Sequence, residues 1–448
     1  MAQKIIIIGA GVSGIAAGVA LKQRGFDVTL LDKNDYIGGR VKTIKKNGFA
    51  MEKGASILPS KYSHIVNRLQ AMNLTHLMQP GGSIVGFARD GKIHCMDSAR
   101  MMIDGITTQL ISWQSKMVMI KMMIDNMRIT PKLSFEDGSL CAEYDTETAA
   151  AYCDRRLNAE LKEYIVDATL RGMLGTQAEV NSVIDFFFSY NNVIGSKLYS
   201  MVEGMGTLPN ALVEAAKLDV RLNTQVNEVV ERNGRVAVSC TGPEGERNEE
   251  VDGVVMTLQS TQACKLLPTF SKHSLDFMRD VPYTTAISVN LPLSAPPPNQ
   301  KAFVIQIPQS VHPDLFAIVL DHNKAPGRTP PGKGMASLYT MSNWSEKLIT
   351  MDDDTVVKLT LEAAEQVMPG LSDKIEFTNV NRWHDVIVYS KPGLYKETGK
   401  FIAGLDPKSR IKLGGDYFSC SNMNTAFAGG ERAARELAQT LTQSLTNH

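Results

Sequence analysis

The stretch Lys4–Gly14 constrains this chain more than any other. Four consecutive isoleucines, Ile5–Ile8, read as a strand buried on both faces, and the strand runs directly into Gly9-Ala-Gly11-Val-Ser-Gly14, a G-x-G-x-x-G turn. Gly9 permits the tight turn, Gly11 lets backbone approach a pyrophosphate with no Cβ in the way, and Gly14 lets the next helix pack on the strand. That helix shows as the stripe Ile15, Val19 and Leu21 with small residues between them. Its first turn, Val12 and Ser13 included, offers free N–H groups and the positive end of the helix dipole to phosphates. A second strand, Asp27–Leu31, ends in Asp32 with Lys33 beside it, about twenty residues past the glycines, where a carboxylate can accept ribose hydroxyls. Together these parts form a dinucleotide cradle, and they set an α/β fold.

With 448 residues the chain exceeds what one hydrophobic core organises, so two interleaved domains are expected. The 47 basic and 47 acidic side chains cancel, which removes the electrostatic footprint of a nucleic-acid partner. Six scattered cysteines form no C-x-x-C pair, so no metal site is expected, and they read as reduced thiols in a cytoplasm. The first strand begins almost at residue 1, leaving no room for a signal peptide, and no apolar run reaches about eighteen residues, so no membrane span is expected.

Further along, Gly38-Gly39-Arg40 suits a loop that bends back over a diphosphate with Arg40 as counter-charge, and Gly54-Ala55-Ser56-Ile57 follows a strand as a small-residue loop able to pass close to a flat ring. With these residues in hand, the chain resembles the FAD-binding half of the flavin amine oxidase superfamily, which also holds protoporphyrinogen oxidases and phytoene-desaturase-like enzymes. The resemblance recurs at Glu203–Leu212, at Leu222–Val230, and from Ile411 through Gly415, Asp416 and Asn422–Ala426 to Ala434. It implies that the backbone at Val226 meets the adenine and that Asp416, after Gly415, bonds the ribityl chain or a phosphate. It also implies that a helix beginning near Met423, Asn424 and Thr425 starts under the flavin pyrimidine, where its dipole favours the reduced ring. The implied architecture is a discontinuous Rossmann-type (GR2-like) FAD domain over 1–83, 201–275 and 396–448. It is interleaved with a substrate domain over 84–200 and 276–395, mixed-sheet in the second piece and helical in the first.

The substrate domain is less legible. Met101–Arg128 reads as a methionine-rich, mostly unbroken helical stretch: core, a soft lining for a bulky apolar substrate, or a surface that touches a membrane. Asp185–Tyr190 is an aromatic run, and Tyr283–Leu291, Phe303–Ile307, Phe316–Leu320 and Met335–Tyr339 read as strands of one sheet. Asp352–Val367 reads as an amphipathic helix with acids at its start.

Three departures choose the branch. Asn422 stands where monoamine oxidases carry a cage tyrosine, the strand Thr284–Leu291 lacks the lysine that amine oxidases place near the flavin, and no cysteine lies near 385–390, so FAD is expected to be non-covalent. The resemblance then implies a protoporphyrinogen-oxidase or desaturase-like enzyme moving a hydride from a C–C or C–N bond of a bulky apolar or cyclic substrate to flavin N5. Amine oxidation is the alternative, and a lipid-binding escort or a flavin-dependent mutase are lesser ones. No side chain is assigned as catalytic; Asn422, Asn424 and Trp383 are cavity candidates, with His384 read as structural. One G-x-G-x-x-G leaves no nicotinamide site, so oxygen, a quinone or a redox partner is expected to reoxidise the flavin.

Overall fold

The computed structural model describes residues 2–446; Met1, Asn447 and His448, which close the expected domain boundaries, lie outside the described residues. Ile5–Ile8 are each at most 2 % exposed, and they run through the middle of a five-stranded parallel sheet. Its order is Asp219–Arg221, Asp27–Leu31, Lys4–Ile8, Gly253–Met256, Ile411–Leu413. Alternate isoleucines serve opposite faces, as the period of two requires. Ile5 and Ile7 pack toward the helices Val12–Lys22 and Met423–Thr446, whereas Ile6 and Ile8 pack toward an antiparallel meander of Gln225–Arg232, Arg235–Gly242 and Gly245–Val251. A strand read over Leu222–Val230 runs instead from Gln225 to Arg232, and the short strand Asp219–Arg221 just before it closes the parallel sheet.

The first helix lies against the glycine turn, and the last helix against the first, closer than side chains would allow. A Cβ at Gly14 would sit 1.8 Å from Gly9 O, and one at Gly430 would sit 2.0 Å from Ser13 O. Backbone on backbone is the only fit at both places.

A second sheet has seven strands in the order Asn379–Trp383, Ala286–Leu293, Gly334–Thr340, Leu315–Leu320, Val304–Gln306, Ile84–Arg89, Lys92–Asp97. The strand Val304–Gln306 pairs parallel with Ile84–Arg89, joining segments over two hundred residues apart in sequence. One face packs on the helix Asp353–Val367, whose start is capped by Asp352 accepting from Thr355 N at 2.9 Å. The other face looks toward a group of helices that includes Trp113–Ile129, Ala149–Arg156, Ala168–Leu174 and Val183–Val193. Among the described residues no helix is long and apolar enough to cross a membrane.

The mostly unbroken helical stretch expected over Met101–Arg128 is two helices, Met101–Thr107 and Trp113–Ile129, because Thr108 turns extended and Ser112 restarts the chain as an N-cap. Glu160 pins that restart. Its carboxylate accepts from Ser112 N at 2.8 Å, Ser112 Oγ at 2.6 Å, Ser115 Oγ at 2.5 Å and Arg89 Nη1 at 2.7 Å. Burial pushes the carboxyl up, but the two serines and Arg89 outweigh it and bring it down to about 2. The native value lies below the unfolded one of about 4.3, so this stability is present above about pH 4 and disappears as the pH falls toward 2. Glu160→Gln is expected to lower the unfolding free energy by about 1–2 kcal/mol at neutral pH, allowing for solvent screening, with the gap to wild type closing in acid. Denaturant unfolding across that pH range measures it.

Candidate active site

The glycine turn is built as its spacing requires. Gly9 has φ +104° and its N–H donates to Leu31 O at 2.8 Å, tying the turn to the second strand. Gly38 N donates to Ala10 O at 2.9 Å and Gly39 lies over Gly11, so the Gly-Gly-Arg loop folds back on the first turn. Gly11 differs from its neighbours: a Cβ there meets nothing within 4 Å, although Gly14 next to it is sealed by backbone. The helix Val12–Lys22 has no side-chain cap and no acid in its first turn, and the buried Ser13 Oγ has no hydrogen-bond partner. An uncapped helix start over open space, with a spare hydroxyl, fits a pyrophosphate.

Asp32 closes this cradle. It is 8 % exposed, with Oδ2 accepting from Ala10 N at 2.7 Å and Oδ1 accepting from Asn34 N and Nδ2 at 2.8 Å each. A carboxylate has about four acceptor positions, so ribose hydroxyls still have room. Lys33 beside it is exposed, and Val226 is buried against the meander.

The other candidates surround a cavity of about 740 Å³. One end is lined by Val12, Arg40, Gly54–Ile57, Asp416 and Met423, and from there it continues between the helices and the seven-stranded sheet past Tyr190, Phe303, Gln306 and Tyr339. Gly54 is required here, since a Cβ would lie 2.1 Å from Arg40 O.

Arg40 and Asp416, expected at the diphosphate and at the ribityl chain or a phosphate, both line the cavity, and there the guanidinium grips the carboxylate with two bonds of 2.9 and 3.0 Å, joining residues 376 positions apart. Arg40 also donates to Val386 O, and Ser421 Oγ donates to Asp416 at 2.5 Å. Burial alone would raise the Asp416 carboxyl; the Arg40 charge and these bonds overcome it and hold the group ionised below its usual range. Asp185 anchors the segment carrying Val386 by accepting from Ser390 N at 2.7 Å and Tyr395 OH at 2.6 Å. Phe186, Phe187 and Phe188 beside it are core, and only Tyr190 of that run reaches the cavity.

The last helix begins at Met423, where the resemblance put it. Asn422 caps it, its Oδ1 accepting from Thr425 N at 2.8 Å, and also lines the cavity. Asn424 does not line it. It is fully buried on the far side of the helix, with Oδ1 accepting from Ile65 N at 3.1 Å, while Met423 and Ala426 take the cavity face. Thr425 is likewise turned inward, donating to Cys420 O at 2.7 Å. Helical periodicity decides this, since consecutive residues point about 100° apart. Trp383 lines the cavity and donates through Nε1 to Lys53 O at 2.8 Å, whereas His384 is exposed and outside the lining.

Sequence reading missed Lys53, Tyr190, Gln306 and Tyr339 as lining residues. Lys53 sits with its ammonium 4.9 Å from the Trp383 ring, and burial followed by the nearby Lys42 lowers its pKa. Nothing in their local sequence sets these residues apart, because it is the packing of distant segments, the strands of Gln306 and Tyr339, the helix of Tyr190 and the loop of Lys53, that gathers them. Among the described residues no group of three or more His, Cys, Asp or Glu could hold a metal ion.

Gly11→Ala distinguishes the cradle from a merely structural turn. Its φ of −74° suits alanine and the space is open, so thermal stability of the FAD-free protein should stay within about 0.5 kcal/mol of wild type. FAD affinity, measured by flavin fluorescence titration, should fall at least about tenfold, because the methyl group occupies the pyrophosphate position.

The chain is 52 % identical over 60 residues to 4,4'-diaponeurosporene oxygenase of Staphylococcus haemolyticus (strain JCSC1435), a match spanning 13 % of the chain and only 12 % of that protein. It is 22 % identical over 420 residues to coproporphyrinogen III oxidase of Bacillus subtilis (strain 168), covering 85 % of the chain and 86 % of the relative. The fold matches a crystal structure described as a putative protoporphyrinogen oxidase from Exiguobacterium sp. 255-15, with a TM-score of 0.75 and 16 % identity over 98 % of this chain and all of the other. The profile described as "Flavin containing amine oxidoreductase" matches residues 12–438, and the chain belongs to that family.

Proposed function

We propose that this protein is an FAD-dependent oxidase or dehydrogenase that removes hydrogen from a C–C or C–N bond of a bulky, apolar or cyclic molecule. The carrying observation is the character of the cavity. Its walls are overwhelmingly aliphatic and aromatic, and its one acid, Asp416, is already neutralised by Arg40. A cationic substrate finds no free carboxylate there. A substrate with several carboxylates finds little more, since Lys53 is the one lining cation with no carboxylate or carbonyl partner; the Lys116 ammonium donates to Ile106 O and Thr108 O at 2.7 Å each.

In this reading residues 1–83, 201–275 and 396–448 hold FAD, and 84–200 with 276–395 enclose the substrate. Bound FAD supplies the two-electron acceptor. Gly9, Gly11, Val12, Ser13 and Gly14 receive the pyrophosphate, Asp32 and Lys33 the adenosine ribose, and the backbone at Val226 the adenine. Gly39, Gly54, Ala55, Ser56 and Ile57 give the ring a close backbone floor. Gly415 and the Arg40–Asp416 pair fix the loop before the last helix, and the helix start at Met423–Thr425 directs partial positive charge where negative charge develops. The apolar walls exclude water, and Asn422 and Trp383 border the reacting region. No proton-transfer residue is required of the chain if the substrate is electron-rich. Reoxidation falls to oxygen, a quinone or a redox partner.

Amine oxidation is the second reading, favoured by the family to which the chain belongs. One experiment separates the two. The purified protein should be yellow, with bands near about 380 and 450 nm. Under anaerobic conditions the longer-wavelength band should bleach on mixing with an apolar dihydro-polyene or a cyclic dihydro-pyrrole and persist with a panel of primary and secondary amines. Bleaching by amines, with ammonia and peroxide released in air, would replace the first reading with the second.

A further inference from the structure

Of the eleven large apolar side chains exposed among the described residues, eight fall between Ile103 and Met127. Trp113, Met117, Ile120, Ile124 and Met127 recur at intervals of three and four, so they form one stripe down the outer face of the helix Trp113–Ile129, with Trp113 66 % and Met127 75 % exposed. The inner face of that helix is already packed, through Ser115, Met122 and Ile129. Both faces are apolar and only one is covered. The helix Asp353–Val367 shows the ordinary arrangement in the same molecule, with Lys358, Glu362 and Gln366 outside and Val356, Thr360 and Ala363 inside.

Two more observations say what covers the stripe. Ile106, Trp113, Met117, Ile120 and Met123 are exposed and also line the cavity, so the apolar surface passes without interruption from the outside of the protein into its interior. The charge around it is basic. The helix carries Lys116, Lys121 and Arg128 against Asp125, and Asp125 is held by Arg156 and the Tyr152 hydroxyl. Lys121 and Arg128 remain exposed.

We propose that this face docks on a phospholipid bilayer containing anionic lipids, with the helix Trp113–Ile129 lying in the interface and the cavity opening toward the acyl chains. An in-plane helix with an apolar face, a tryptophan at its end and basic residues at its edge has the chemistry of that boundary. A bilayer suits the continuity of patch and cavity better than a folded partner does, because a molecule dissolved in lipid reaches the cavity without crossing water. That delivery role rests on the apolar-substrate reading above; the docking does not.

Vesicle flotation of the full-length flavoprotein tests the proposal, with phosphatidylcholine alone and with added phosphatidylglycerol. The protein should float with the mixed vesicles, less with phosphatidylcholine alone and less at high salt. Its tryptophan emission should shift to the blue, a shift absent from Trp113→Phe. The double variant Ile124→Ser/Met127→Ser, which lies outside the cavity, should lose at least about tenfold in vesicle affinity while keeping its melting temperature and flavin spectrum. Failure to float with either vesicle, or undiminished binding by the double variant, would overturn the docking. So would a lipid-free dimer that itself shifts the Trp113 emission, since the stripe would then be covered by a second copy. Each of these results leaves the flavin and substrate readings standing, whereas flotation without oxidation of apolar compounds would sink the substrate reading alone.

Discussion

Contact of backbone with backbone, with no side chain between, governs this structure. Gly14 against Gly9 O, Gly54 against Arg40 O and Gly430 against Ser13 O each close a gap that a single methyl group would force open. These contacts draw the first and last helices of the chain onto one strand and stack one loop upon another. Of the three glycines in the first turn only Gly11 faces open space, so the same packing that seals Gly9 and Gly14 leaves a vacant groove at a helix start. The glycines therefore act in two ways: most permit close approach within the protein, and one keeps a place for something else.

The Arg40–Asp416 pair gives that scaffold its electrostatic centre. Two ionised groups are costly to bury, and removing one partner from a buried pair typically costs about 3–5 kcal/mol, so the pair ties its two loops tightly. Its carboxylate is nearly buried, with only 4 % of the side chain exposed, while the guanidinium keeps 28 % exposed. Through Val386 O and Ser421 Oγ the pair also reaches the Asp185-anchored segment and the loop before the last helix. Three stretches distant in sequence thereby share one position beside the cavity. By neutralising its only acid, the pair leaves the remainder of the cavity to apolar side chains.

The outer helices belong to a different physical regime. The parallel sheet buries its isoleucines on both faces, whereas the helix Trp113–Ile129 carries apolar residues on a face that none of the described residues covers. It is attached by the buried Met122 and Ile129 of its inner face and by a compact set of polar bonds at its first turn, centred on Glu160. Such attachment holds the helix over the cavity mouth and leaves its outer side free for an apolar surface.

Local sequence determined the cradle, because every part of it is a short-range necessity: a strand buried twice, a turn that must have φ near +104° at Gly9, and a helix and second strand completing the unit within about thirty residues. The small-residue loop at Gly54 was legible for the same reason, whereas the start of the last helix came from the family resemblance. Side-chain direction was not legible. Asn424 and Trp383 were equal candidates on paper, and helical phase sent one into the core while strand position sent the other to the cavity. The mutual pairing of Arg40 with Asp416, and the walls formed by Gln306, Tyr190 and Tyr339, exist only after segments distant in sequence have packed together. Spacing along a chain fixes turns and periods, but which charges meet and which faces stay uncovered depends on distances that folding alone creates.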